Sequence, residues 1–489
     1  MYKIKTVAII GGGVAGLSAA GLLSRNGFDV KLFEANDKLG GCCATTNIDG
    51  YTFNDGAVFL ALPGILDHVF SKLGLDRQAL LPLRKITANS TTILPDSTEV
   101  LFGDGRNISV RNSIRQTDMD RVNSELVKLL KKWEPVLNIF TDDLLLHPLS
   151  FSRLIAIGWR HLHKFRGSVA SELNKLISDE SVRSAMSGVM LYAGVPPDKM
   201  PVMSMLGLAS LFTEGFYLPE GGIGKIPEAL SQAGKHNGGQ SFLNSVVRRI
   251  VVKNGRVKGL EFEEKDPIEV DAVISTMSGM STFDILLHTD VVPSQMRRKV
   301  KRAPLSHKSF VIQLGLANTI DAQSHMYNII PTMDKQYELF HAPDKELKWL
   351  VYSVPTVIMP ELAINGGSIV EMYPSINQNI PVDQWDENEK EKMFELGIEA
   401  LSKWHKVNIV TKRIISPKEF RDKMHLYKGA VYGLSPVADP RAQFPHVSPI
   451  HGLYLAGQTT YPGYGIGAAA MSGIFAAKEL MKKHYKGIT

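Results

Sequence analysis

Residues 7–16 read VAIIGGGVAG, an apolar run that passes straight into Gly11, Gly13 and Gly16. Each glycine of this G-x-G-x-x-G spacing has its own task. Gly11 permits a tight turn, Gly13 lets backbone approach a pyrophosphate, and Gly16 lets the following helix lie close to the sheet. The pattern predicts that helix over 17–26, with its N-terminal N–H groups and positive dipole end aimed at phosphates. It stops at Asn26-Gly27, and FDVKLFE supplies a second strand ending at Glu34. Glu34 follows at the interval where an acidic side chain can accept both ribose hydroxyls of an adenosine. Three glycines alone say little. Strand, glycines, helix, strand and acid in that order imply an adenine dinucleotide.

The chain has 489 residues, enough for two or three domains, with 44% hydrophobic and 21% charged residues as in ordinary globular proteins. No apolar run approaches the roughly 18–20 residues of a membrane-spanning helix. The first strand begins almost at Met1, so no signal peptide is expected. The only cysteines, Cys42 and Cys43, are adjacent, which suits neither a metal site nor a disulfide framework and makes a reducing cytoplasm the expected location. A net charge of +6 and a pI near 9.0 come from scattered basic residues, so no nucleic-acid partner is expected.

The periodic, charged stretch 121–133 predicts a helix, and 169–190 predicts another. SVVRRIVVKNGRVKGLEF predicts a hairpin around Asn254-Gly255, followed by a strand at 271–276. Strands at 309–316, 348–354, 368–373 and 408–415 predict a second, mostly antiparallel sheet. The chain closes on LYLAGQTTYPGYGIGAAAMSG, again a strand, a glycine-rich turn and a helix. A second cradle of this kind fits the long flavin dinucleotide, whose ring end lies far from its adenosine end.

With both ends read, the chain resembles the flavin-dependent carotenoid desaturases of the bacterial phytoene desaturase type, whose wider family includes carotenoid isomerases and retinol saturases. LGGCCATTNIDGYTFNDGAVF is similar to that family's second glycine pair and the run after it, through Gly40, Gly41, Asp49, Gly50, Phe53, Asp55 and Gly56. The most specific segment spans 192–230, with Pro196, Pro197, Pro219, Gly221 and Gly222 at the family's positions. The resemblance implies FAD contacts from Gly11, Gly13, Val14, Ala15, Gly16, Glu34 and Ala35. It implies others from Gly40, Gly41, Cys42 and the hairpin's Val247, and from Gly457, Gln458, Gly465, Ile466 and Gly467. Cys42 stands where many members carry a basic residue, and Gln458 where many flavoproteins carry an acid.

The expected architecture is α/β. A discontinuous Rossmann-like FAD-binding domain (1–105, 215–290, 421–489) joins a mixed α+β substrate domain (106–214, 291–420). The expected chemistry is desaturation of a carotenoid-like polyene or other hydrophobic substrate, by hydride transfer to flavin N5. Saturation or cis–trans isomerisation, non-covalent amine oxidation, heterocycle dehydrogenation and non-catalytic prenyl-lipid carriage are the alternatives. Tyr461 and Tyr464, astride the closing turn, are the candidates to face the flavin; His446 and His451 are candidate proton donors, with surface packing the commoner use. Adjacent cysteines form only a strained bridge, so buried packing is expected of Cys42 and Cys43. No metal-ligand spacing occurs, and oligomeric state is left open. Residues 144–166 carry Arg153, Arg160, Lys164 and Arg166 among aromatic and aliphatic residues, with no acid from 151 onward. That segment is the candidate for peripheral membrane contact, the alternative being an amphipathic helix packed on the substrate domain.

Overall fold

The structure, a computed structural model, describes residues 4–103, 107–113, 117–148, 166–340 and 346–486. A five-stranded parallel sheet anchors it, in the order Gln240–Phe242, Asp29–Phe33, Thr6–Ile10, Ala272–Ser275, Leu453–Leu455. Val7, Ala8 and Ile9 are wholly buried because layers cover both faces of the sheet. The opening helix is Val14–Arg25, which starts earlier than the sequence pattern predicts. It is buried along nearly its whole length between the closing helix Ile466–Lys486 and Lys225–His236. Small residues permit this contact. A Cβ on Gly473 would lie 2.0 Å from the carbonyl oxygen of Ala15.

The second sheet has eight strands, in the order Ile409–Ile415, Val311–Leu316, Ser368–Met372, Leu350–Ser353, Met326–Ile329, Ala88–Ile93, Glu99–Gly103, Ile108–Arg111. All neighbours pair antiparallel except Met326–Ile329 with Ala88–Ile93, which run parallel. Ala88–Ile93 and Glu99–Gly103 fall within the 1–105 segment expected in the coenzyme domain, and their ladders lie in this eight-stranded sheet. Pairing across more than two hundred residues of sequence leaves no local signature.

The helix expected over 121–133 runs from Met119 to Ile139, begun by Asp118, whose side chain accepts from the Arg121 N–H at 3.0 Å. The single helix expected over 169–190 is two, Val169–Leu176 and Glu180–Gly188. Ile177 turns extended, and the Asp179 carboxylate accepts the Val182 N–H at 2.9 Å and starts the next helix. The hairpin is Val247–Lys253 against Arg256–Phe262, turning at Asn254-Gly255. Most of the 144–166 segment, residues 149–165, lies outside the described residues. Among the described residues, no helix is long and apolar enough to cross a membrane.

Candidate active site

The strands of the parallel sheet end at one edge, and the functional turns leave from there. Gly11 follows Ile10, Glu34 follows Phe33, Thr276 follows Ser275, and Gly457 lies just beyond Leu455. Ligands of open parallel sheets bind outside the carboxyl ends of the strands, and a cavity of about 1510 Å³ opens at this edge. That exceeds the roughly 300–1,000 Å³ of a small-ligand pocket, so a dinucleotide leaves room for a second molecule.

Fifteen of the sixteen residues expected to hold the coenzyme line this cavity. Gly16 does not. A Cβ there would lie 2.0 Å from the Gly11 carbonyl oxygen, so Gly16 serves helix–strand packing. At one end the Glu34 carboxylate accepts the Gly12 N–H at 2.7 Å and the Asn36 N–H at 2.9 Å, which fixes its position beside Val247 on the cavity wall. In the middle, Gly13 bridges to Gly40, and a Cβ on Gly13 would meet only the Gly40 carbonyl at 3.8 Å. The opening helix has no side-chain cap at Gly13, so its first N–H groups remain free for an anion. A Cβ on Gly465, just before the closing helix, would meet nothing within 4 Å. These open backbones fit a pyrophosphate and a flat ring system.

Thr276 joins the two glycine turns and was not singled out by sequence. Its hydroxyl donates to the Ile10 carbonyl at 2.8 Å. A Cβ on Gly11 would lie 2.4 Å from Thr276 Oγ1, and one on Gly457 2.9 Å from the Thr276 carbonyl oxygen. Both glycines also hold positive φ, 100° each, so two constraints exclude larger residues.

The profile of the flavin containing amine oxidoreductases matches residues 14–481, from the first helix to the last. The chain belongs to the flavin containing amine oxidoreductase family. It is an FAD-dependent oxidoreductase. The chain is 25% identical to the 4,4'-diapophytoene desaturase (4,4'-diapolycopene-forming) of Methylomonas sp, over 99% of this chain and 96% of that one. It is 24% identical to the zeta-carotene-forming phytoene desaturase of Myxococcus xanthus, over 99% and 96% respectively. An oxidoreductase from Methanosarcina mazei has the same fold, with a TM-score of 0.64 at 16% identity, over 98% of this chain and all of that one.

Beyond the glycine turns, this flavin oxidoreductase builds an aromatic chamber. Phe59 stacks on Phe216 with ring centroids 4.2 Å apart, and Tyr192 meets Tyr373 edge-on at 5.8 Å. Tyr464 lines the chamber beside Tyr432, centroids 4.7 Å apart. Tyr461 does not reach it. Its ring stacks on Phe475 at 5.9 Å and its hydroxyl donates to the Leu144 carbonyl, which makes it a packing residue. His446 is half-buried against Phe475 with Nδ1 at the Leu455 carbonyl, and His451 is exposed beside Arg256. Neither histidine lines the cavity. Both cysteines are free thiols.

A polar network backs one wall. Arg413 Nη1 lies 2.5 Å from Asp55, and Lys38 Nζ reaches Asp55 at 2.9 Å. Arg413 also donates to Gln313, whose Nε2 donates to the wholly buried Glu371 at 3.0 Å. Tyr373 and Ser353 donate to the other Glu371 oxygen. The two carboxyls are driven apart. Burial works against the charge on Asp55, but Arg413, Lys38 and Thr46 outweigh it and hold its pKa below the usual range. Burial dominates at Glu371 and pushes its pKa up, because its neighbours are neutral donors. At the cavity wall, loss of solvent and the charge of Asp55 push the Cys42 thiol up to about 11.

Proposed function

We propose that the protein desaturates a carotenoid-like polyene. One observation carries the reading: the cavity continues from the coenzyme turns into a chamber walled by aromatic and aliphatic side chains, including Phe59, Phe216, Leu206 and Trp349. Full-length similarity to desaturases of long polyenes supports it. Bound FAD supplies an acceptor for a hydride drawn from a C–H bond.

The chain's own residues do the remaining work. Glu34 and Val247 take the adenosine end. The N–H groups of Val14 and Ala15, with the backbones of Gly13 and Gly41, take the pyrophosphate. Gly457, Gln458, Gly465, Ile466 and Gly467 take the flavin half. The aromatic wall excludes water and aligns an extended chain, and orientation of this kind is a large part of such catalysis. No cavity-lining side chain needs to act as a strong base on an unactivated hydrocarbon. Tyr464, facing the chamber, is a contact for substrate.

The test is anaerobic mixing of purified holoprotein with polyenes. Bleaching of the flavin by 4,4'-diapophytoene, with a more conjugated product by mass spectrometry, is expected. Bleaching by amines but not polyenes would favour amine oxidation. Turnover only with pre-reduced flavin would favour saturation or isomerisation, and a colourless protein carrying lipid would favour a carrier. We also infer peripheral membrane attachment through 144–166, since a lipid-soluble substrate enters from a bilayer. Arg153→Glu with Lys164→Glu should weaken co-sedimentation with anionic vesicles; unchanged co-sedimentation would end that idea.

A further inference from the structure

Among the polar groups of the cavity wall that a hydrocarbon would leave idle is His307. It makes no side-chain hydrogen bond. Its two nitrogens differ. Nδ1 is sealed off, and a Cβ on Gly194 would lie 1.8 Å from it, so that ring edge rests on glycine backbone. A lone pair facing an aliphatic Cα–H gains a weak contact, whereas an N–H there meets another hydrogen. The proton of the neutral ring therefore belongs on Nε2, the nitrogen that is not sealed. Burial pushes the His307 pKa down to about 4, so at neutral pH the ring is an uncharged donor.

The ring is also held still. Tyr432 meets it edge-on with centroids 5.6 Å apart, and the Tyr432 hydroxyl is tied to the Tyr192 carbonyl at 2.9 Å. Tyr192 belongs to the short turn Leu191–Ala193, which leads into Gly194, so the groups that pack His307 come from one turn and one loop. A fixed, uncharged donor within an apolar wall is how a pocket recognises a single oxygen atom.

We propose that His307 is a specificity-determining donor and that the protein prefers a polyene bearing a hydroxyl or carbonyl oxygen over the corresponding pure hydrocarbon. This rests on the polyene reading above and names the substrate class within it. A site built to hydrogen-bond a substrate group disfavours the analogue that lacks it, because its own polar atom is then left unpaired.

The experiment measures quenching of tryptophan fluorescence in the holoprotein, where Trp349 lines the cavity. The probes are 4,4'-diapophytoene and its terminal alcohol. The native protein should bind the alcohol about tenfold more tightly, the worth of one hydrogen bond. His307→Phe should abolish that preference while leaving FAD content and hydrocarbon affinity unchanged, and His307→Gln should restore part of it. Equal affinities in the native protein, or a preference that survives His307→Phe, would overturn the proposal. If neither probe binds, the polyene reading falls with it, whereas equal tight binding of both leaves that reading intact. The native comparison decides the matter even where a variant fails to fold.

Discussion

Glu34 shows how one side chain can be read from both sequence and structure. Its carboxylate is buried, already accepts two backbone N–H groups, and lines the end of the cavity that we propose for the adenosine. Glu34→Ala should raise the FAD dissociation constant about 10–100-fold, since hydrogen bonds to charged groups contribute about 1.5–3 kcal/mol. Titration of apoprotein with FAD measures this. Cys42 gives a second expectation. With its thiol pushed up to about 11 it is almost wholly protonated at neutral pH. Alkylation should be slow at pH 7 and should accelerate only as the pH approaches that value, followed by mass spectrometry. The residues around Gly11–Gly16 were legible because their meaning lies in local spacing. Thr276, His307, Arg413 and Tyr432 were not, because segments distant in sequence bring them to the cavity. Tyr461 and Tyr464 show the limit of proximity: three residues apart, one packs on Phe475 and the other faces the chamber.

Elements that carry a strong local period were read correctly, including four strands of the broad sheet and the 254–255 hairpin. The break within 169–190 was missed because an apolar face continues across it, and only Asp179 acting as a cap reveals the new start. Two tests belong to this scale. Gly16→Ala would push a methyl group to 2.0 Å from the Gly11 carbonyl, so helix and strand must separate. Overpacking of this kind costs about 1–3 kcal/mol, and both thermal midpoint and bound FAD should fall. Arg413→Met tests the ion pair that ties the strand Ile409–Ile415 to Asp55. It should cost about 3 kcal/mol, the low end for breaking a buried pair, because Lys38 still reaches Asp55. The pH dependence follows from the sign. Asp55 has a depressed folded pKa, so its contribution is present above the ordinary carboxylate range and is lost as the pH falls through the folded value. Denaturant midpoints of the native protein should therefore drop on acidification below about pH 4, and the variant should lose part of that drop.

At the scale of the molecule, two glycine turns more than 440 residues apart in sequence meet on either side of Thr276, at the carboxyl edge of one sheet. That juxtaposition turns two local motifs into a single elongated cleft with a chamber beyond it. Sequence implied both cradles and a hydrophobic second domain. It could not give the shape of the chamber, which depends on which faces of the broad sheet turn inward. The most direct measurement is the flavin released by heat denaturation from the purified chain, compared with Gly457→Val. One FAD per chain is expected, and none from the variant. A native protein that releases no flavin and stays colourless on reconstitution would contradict the assignment.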